Sequence, residues 1–193
     1  MIMIPSNPFS TRFLINGAIP FLFESGDGSQ LLVDFENYRF YAQIVGPHGT
    51  GKTTLLNSFV PELEKQGFNV VSTSLHDKQR CLPKSFCSEI KNSKTKWTIL
   101  VIDGYEQLGL FARLTVMYYR LRFGFGVLLT THSPIRGVPV LYRTRATFAT
   151  LKRLLAGNIE AEIPDEKLES IFNNHSGNLR LVFLDLYDFY ETG

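Results

Sequence analysis

Tyr41-Ala-Gln-Ile-Val-Gly-Pro-His-Gly-Thr-Gly-Lys-Thr-Thr54 decides the fold. Tyr41 to Val45 reads as a short buried strand. Gly46-Pro47-His48-Gly49-Thr50-Gly51-Lys52-Thr53 then matches the spacing GxxxxGK[ST] at every position. From Lys52 onward Leu55, Leu56, Phe59 and Leu63 recur at helical spacing. A glycine-rich turn between a strand and a helix is the context in which this pattern has a mechanism. The glycines let backbone N–H groups turn inward around phosphate oxygens, and the helix N-terminus adds partial positive charge. Lys52 would bridge the outer phosphates, and Thr53 would present its hydroxyl to Mg²⁺. The loop, counted from Gly46 through Thr54, therefore predicts ATP (or ADP) with Mg²⁺ as ligands.

Outward from the loop, short apolar strands alternate with helical patterns. Pro61 is expected to kink or break the first helix, and Gly67 to end it. Phe68 to Ser72 reads as a second strand, residues 76 to 96 as polar and irregular, and Trp97 to Ile102 as a third strand. Tyr105 to Phe123 has helical period, Gly126 to Thr130 forms a fourth strand and Val138 to Tyr142 a fifth. Strands alternating with helices predict an α/β fold, with helices on both faces of a mostly parallel sheet. Phe148 to Leu155, Asp165 to Phe172 and Leu179 to Tyr190 then read as three helices. Turn residues cluster upstream, at Asn16-Gly17 and Gly26-Asp27-Gly28. Three segments follow: 1–40 as an extended arm or hairpin packed on the core, 41–146 as the nucleotide-binding core, and 147–193 as a small helical unit.

Asp103 closes the apolar run Thr98-Ile-Leu-Val-Ile102, where a Mg²⁺-associated carboxylate belongs. A carboxylate there is costly unless a cation or hydrogen-bond donors meet it. The next acid is Glu106, because position 104 is Gly. From the first helical turn Glu106 reads equally as a water-polarising base or as an acid complementing the helix dipole. Thr130-Thr131-His132 ends the fourth strand, from which Thr131 or His132 can look toward the outermost phosphate. His48 and His76, taken alone, read as loop histidines.

Composition narrows the class. Of 193 residues, 44% are hydrophobic and 20% charged, and 16 Phe supply a core, so disordered and low-complexity readings fall away. No apolar run approaches the ~20 residues of a membrane span. No secretory signal is evident, and two cysteines, Cys81 and Cys87, build neither a disulfide framework nor a zinc site, so a cytoplasmic protein is expected. Charge is segregated. Residues 107–159 hold eight basic side chains and no acid, whereas residues 160–193 hold eight acids against Lys167 and Arg180. A basic stretch can face phosphates or an acidic partner. Pairing the basic segment of one copy with the acidic segment of another would give a head-to-tail homo-oligomer.

These motifs together resemble the AAA+ ATPases. The loop Gly46 to Thr54 is similar to the Walker A sequence of that family, Asp103 matches its Walker B aspartate, and Thr130-Thr131-His132 falls where its sensor 1 residue stands. Ser176-Gly177-Asn178-Leu179-Arg180 resembles the lid motif whose arginine, sensor 2, contacts the γ-phosphate. The resemblance covers residues 41 to 190. It implies a P-loop NTPase three-layer αβα sandwich with a small C-terminal helical lid, and Mg²⁺-dependent ATP hydrolysis coupled to lid motion and subunit assembly. Arg136, Arg143 and Arg145 follow sensor 1 and are the arginines from which a finger toward a neighbouring subunit would be drawn. One departure stands out: the acidic pair of that family is Asp-Glu, and here it is Asp103-Gly104. A nucleotide-gated switch with weak hydrolysis is the alternative, and a nucleotide kinase-like phosphotransferase the third reading. No LSGGQ-like signature and no NKxD-like guanine motif is present. No client protein or nucleic acid is identifiable in the sequence.

Overall fold

The computed structural model describes residues 21–23, 28–93, 97–158 and 163–192. Five strands, β1 (Tyr41–Val45), β2 (Asn69–Ser74), β3 (Thr98–Asp103), β4 (Gly126–Thr131) and β5 (Val140–Arg143), form one sheet in the order β2-β3-β4-β1-β5. All four pairings are parallel. A parallel sheet needs both faces covered. Helices α1 (Ser29–Asn37) and α2 (Lys52–Lys65) bury Leu31, Phe35, Leu55, Phe59 and Leu63 on one face. On the other, α3 (Lys84–Asn92) and α4 (Leu110–Phe123) contribute Phe86, Ile90 and Val116. The remaining helices, α5 (Phe148–Asn158), α6 (Asp165–Asn174) and α7 (Leu179–Thr192), close around their own cluster of Leu151, Leu168, Ile171, Val182, Phe183 and Leu186. The fold is thus the expected αβα sandwich with a C-terminal helical unit. No helix among the described residues is long and apolar enough to cross a membrane.

Several expectations are corrected. The extended arm or hairpin over 1–40 falls largely outside the described residues, and its last part is the helix α1. There Leu31 and Phe35, one turn apart, are buried on the sheet. Helix α2 runs unbroken through Pro61. Pro61 is exposed, and buried Phe59 and Leu63 on either side hold both halves to the core, which offsets one lost hydrogen bond. The segment read as irregular contains α3, started by Pro83 and anchored by Phe86 and Ile90 at i and i+4. The helix expected from Tyr105 is interrupted. A 3-10 turn, Tyr105–Gln107, is followed by extended, buried Leu108, and α4 begins only at Leu110. Arg113 reaches back to the Leu108 and Glu106 carbonyls, each at 2.8 Å, and holds that break in place.

Candidate functional site

The parallel pairing Val45↔Thr131 puts the loop after β1 beside the end of β4. Pairing of β4 with β3 brings in the end of β3. Around these C-terminal strand ends lies a cavity of about 680 Å³, lined by the loop, Asp103, Glu106, Thr130, His132 and Arg180 among others. Ligands in open α/β sheets bind at this end of the strands.

The loop is wedged into position. Gly49 and Gly51 have φ of 69° and 92°, the left-handed region that favours glycine. Thr50 Oγ1 lies 2.9 Å from the Pro47 carbonyl and 2.7 Å from Thr144 Oγ1, a buried brace between the loop and the end of β5. Gly46 has no room for a side chain. A Cβ there would lie 2.0 Å from Thr144 Oγ1 and 2.6 Å from the Thr144 carbonyl oxygen, and the latter is backbone. Gly46→Ala is therefore expected to cost ~1–3 kcal/mol. For a chain of this size that lowers Tm by about 2–4 °C per kcal/mol, which scanning calorimetry would read.

Lys52 Nζ donates to the carbonyls of Gly46 at 2.6 Å and Pro47 at 2.8 Å. Burial pushes its pKa down, while the carboxylates of Glu106 and Asp103 act the other way. Thr53 Oγ1 donates to Asp103 Oδ2 at 2.7 Å. Thr130 Oγ1 donates to Asp103 Oδ1 at 2.5 Å and accepts from the Gly104 N–H at 2.8 Å. A hydroxyl and a carboxylate meeting at one point are hard oxygen ligands of the kind Mg²⁺ takes alongside phosphate oxygens. Among the described residues, no group of three or more His, Cys, Asp or Glu side chains gathers to hold a metal unaided. The donors thus fit a cation shared with a nucleotide.

Glu106 lies within the cavity although it stands three residues past Asp103. Its Oε1 is 3.0 Å from His132 Nδ1, and its Oε2 is buried with no hydrogen-bond partner. A buried carboxylate oxygen left unpaired is costly. Burial pushes the His132 pKa down, against the pull of the Glu106 carboxylate, and Lys52 and His48 push the same way as burial. The His48 ring lies against that of His132, centroids 3.7 Å apart and planes tilted by 46°, so His48 belongs to this site by its side chain as well as by its backbone. Gly104, where the resembling family has a glutamate, sits at φ 80°, and a Cβ there would come 2.9 Å from the Leu75 carbonyl oxygen.

Not every expected residue arrives. Thr131 is turned away, fully buried, and donates to Gln43 Oε1 at 3.1 Å. Side chains alternate along a strand, so Thr130 and His132 face the cavity and Thr131 the opposite side. The Gln43 side chain that captures it also donates to the Ile135 and Val138 carbonyls. Thr54 and Arg180 line the cavity, as does Arg145, of the same chain as the loop it faces. The C-terminal unit touches the loop directly. Leu179 N–H donates to the Gly49 carbonyl at 3.2 Å, and a Cβ on Gly49 would fall 1.8 Å from Asn178 Oδ1. Phe21 and Leu22 also line the cavity, with the Phe21 N–H donating to Ser58 Oγ at 3.2 Å. No local sequence signal marked Phe21, Leu22 or Thr144.

No protein-family profile and no curated protein matches the chain. Solved structures do. The RuvB Holliday junction branch migration motor of Thermotoga maritima is 22% identical, with a TM-score of 0.55 over 81% of this chain and 58% of that one. AMPPCP-bound DnaA from Aquifex aeolicus is 20% identical, with a TM-score of 0.54 over 83% and 61%. A DNA replication initiation factor is 18% identical, with a TM-score of 0.51 over 83% and 60%. The chain thus spans about three fifths of the length of each. The chain has the fold of RuvB and DnaA, which are AAA+ P-loop ATPases.

Proposed function

We propose that this chain binds ATP in the strand-end cavity and hydrolyses it as an AAA+-like ATPase, with nucleotide state coupled to α5–α7 as a lid and to self-association. The observation that carries this reading is the convergence of Lys52, Thr53, Asp103, Glu106, His132 and Arg180 on one cavity. The loop N–H groups cradle the phosphates, and Lys52 exchanges its two carbonyl partners for phosphate oxygens. Thr53 and Asp103 would hold Mg²⁺, which when bound neutralises phosphate charge. Glu106 Oε2 takes the proton of the attacking water while its other oxygen is held by His132. Thr130 fixes Asp103, and Arg180 meets the γ-phosphate from the start of α7. A switch that hydrolyses slowly is a second reading, favoured by Gly104, which has no side chain to offer directly after Asp103.

Two measurements test the proposal together. Phosphate release from ATP with Mg²⁺ should be detectable and should stop on chelation. In light scattering, ATP with Mg²⁺ should raise the mean mass of the protein, and salt should lower it again, because exposed charge pairs are screened beyond about 8–10 Å at physiological ionic strength. Nucleotide binding without phosphate release would leave the switch reading. A monomer at saturating ATP would remove self-association.

A further inference from the structure

At the other end of the sheet, where its strands begin, a second cavity of about 210 Å³ opens beside Arg39, Phe40, Phe68, Trp97, Ile99 and Gly126. The residue directly before each of β1, β2 and β3 is aromatic: Phe40, Phe68 and Trp97. Strand β4 lies between β3 and β1 and begins at Gly126, which has no side chain to fill the gap. A Cβ there would lie 2.9 Å from Phe40 Cβ and 3.0 Å from Ile99 Cγ1. Phe40 therefore reaches the Phe68 ring, with centroids 4.9 Å apart, and Phe68 in turn meets Trp97 at 5.7 Å.

Three features of this cavity do nothing for the fold. Trp97, the only Trp of the chain, is 64% exposed although the Phe68 ring beside it is buried. Arg39 and Phe40 both have φ of 53°, the left-handed region where glycine is the usual residue. Two successive residues with side chains are strained there, and such strain collects at binding sites. The exposed Arg39 guanidinium makes no hydrogen bond or ion pair among the described residues.

The size and chemistry of the cavity select its occupant. It is smaller than the roughly 300–1,000 Å³ of small-molecule pockets, so it suits one side chain of a larger partner. Trp and Arg are enriched at protein interfaces, where an aromatic anchor of one partner fills a pocket of the other. A free guanidinium at the rim calls for a carboxylate next to that anchor. A nucleobase laid on exposed Trp97 would leave the apolar wall of Phe40 and Ile99 unfilled.

We propose that this cavity docks an acidic segment of another protein, which seats one aromatic side chain against Phe40 and Trp97 and a carboxylate on Arg39. The site lies at the opposite end of the strands from the phosphate loop and does not depend on the nucleotide reading.

Trp97 is its own reporter. Capped pentapeptides with every residue except Trp at the centre, and two Asp or two Lys on each side, are titrated into the full chain while Trp97 fluorescence is read. Phe-centred and Tyr-centred peptides with Asp flanks should shift the emission and saturate. An Ala centre or Lys flanks should weaken binding at least ~10-fold, the scale of one charge-assisted contact. Arg39→Glu should invert the preference, so that Lys flanks bind more tightly than Asp flanks. Arg39→Gln, used if a thermal melt shows that Arg39→Glu fails to fold, should level it. Trp97→Ala, followed by calorimetry, should lose peptide binding. The proposal is overturned by the absence of any saturable change, by equal affinity for Asp and Lys flanks, or by a preference that survives the change at Arg39. Saturation by oligothymidylate and by no peptide would also overturn it, and would make the cavity a nucleic-acid surface.

Discussion

Replacing Glu106 by Gln is expected to leave ATP affinity nearly unchanged while lowering phosphate release at least ~10²-fold, the scale on which a general base contributes. Gln keeps the size of Glu106 and an oxygen to set 3.0 Å from His132 Nδ1, so the packing of the site is kept. What goes is the carboxylate oxygen, buried without a partner, that receives a proton. Single-turnover phosphate release beside calorimetric ATP titration separates the two quantities. Normal turnover in Glu106→Gln would remove Glu106 from the chemistry.

Lys52→Ala should weaken ATP binding more than tenfold. The charge-assisted bonds it would give the outer phosphates contribute ~1.5–3 kcal/mol each. The folded chain should tolerate the change. Burial already disfavours the charge on Lys52, and its two present acceptors are loop carbonyls beside a cavity that water can enter. Calorimetry on the folded variant checks this, and an unchanged ATP affinity would contradict the nucleotide-binding proposal.

The phosphate loop was legible because its constraints are local: glycines at left-handed φ, and a lysine and threonine opening a helix. The sandwich was legible for a similar reason, since the central strands β1, β3 and β4 are mostly apolar runs. The site needed more. Thr131 was preferred over Thr130, although alternation along β4 from His132 back to Thr130 already separates them. The His48 and His132 rings meet only because β1 and β4 are neighbours, and strand order is not written in either segment. Phe21, Thr144 and Arg145 reach the loop from distant stretches of chain, so no window of sequence holds both partners. Helices α1 and α3 were missed because each is two turns long with only two buried anchors, too few to set a period. Pro61 misled in the other direction, because sheet packing on either side outweighs one absent N–H.

The hydrogen bond from Leu179 to Gly49 has a thermodynamic consequence. It joins the first turn of α7 to the loop that would receive phosphates, so the two elements share one equilibrium. Anything that grips α7 from outside and shifts that turn changes what the loop can hold. Linkage is reciprocal: the factor by which such a grip alters ATP affinity is the factor by which ATP alters the grip. A partner held at α7 would therefore answer to ATP, and ATP to it, even if no atom of that partner ever touched the nucleotide.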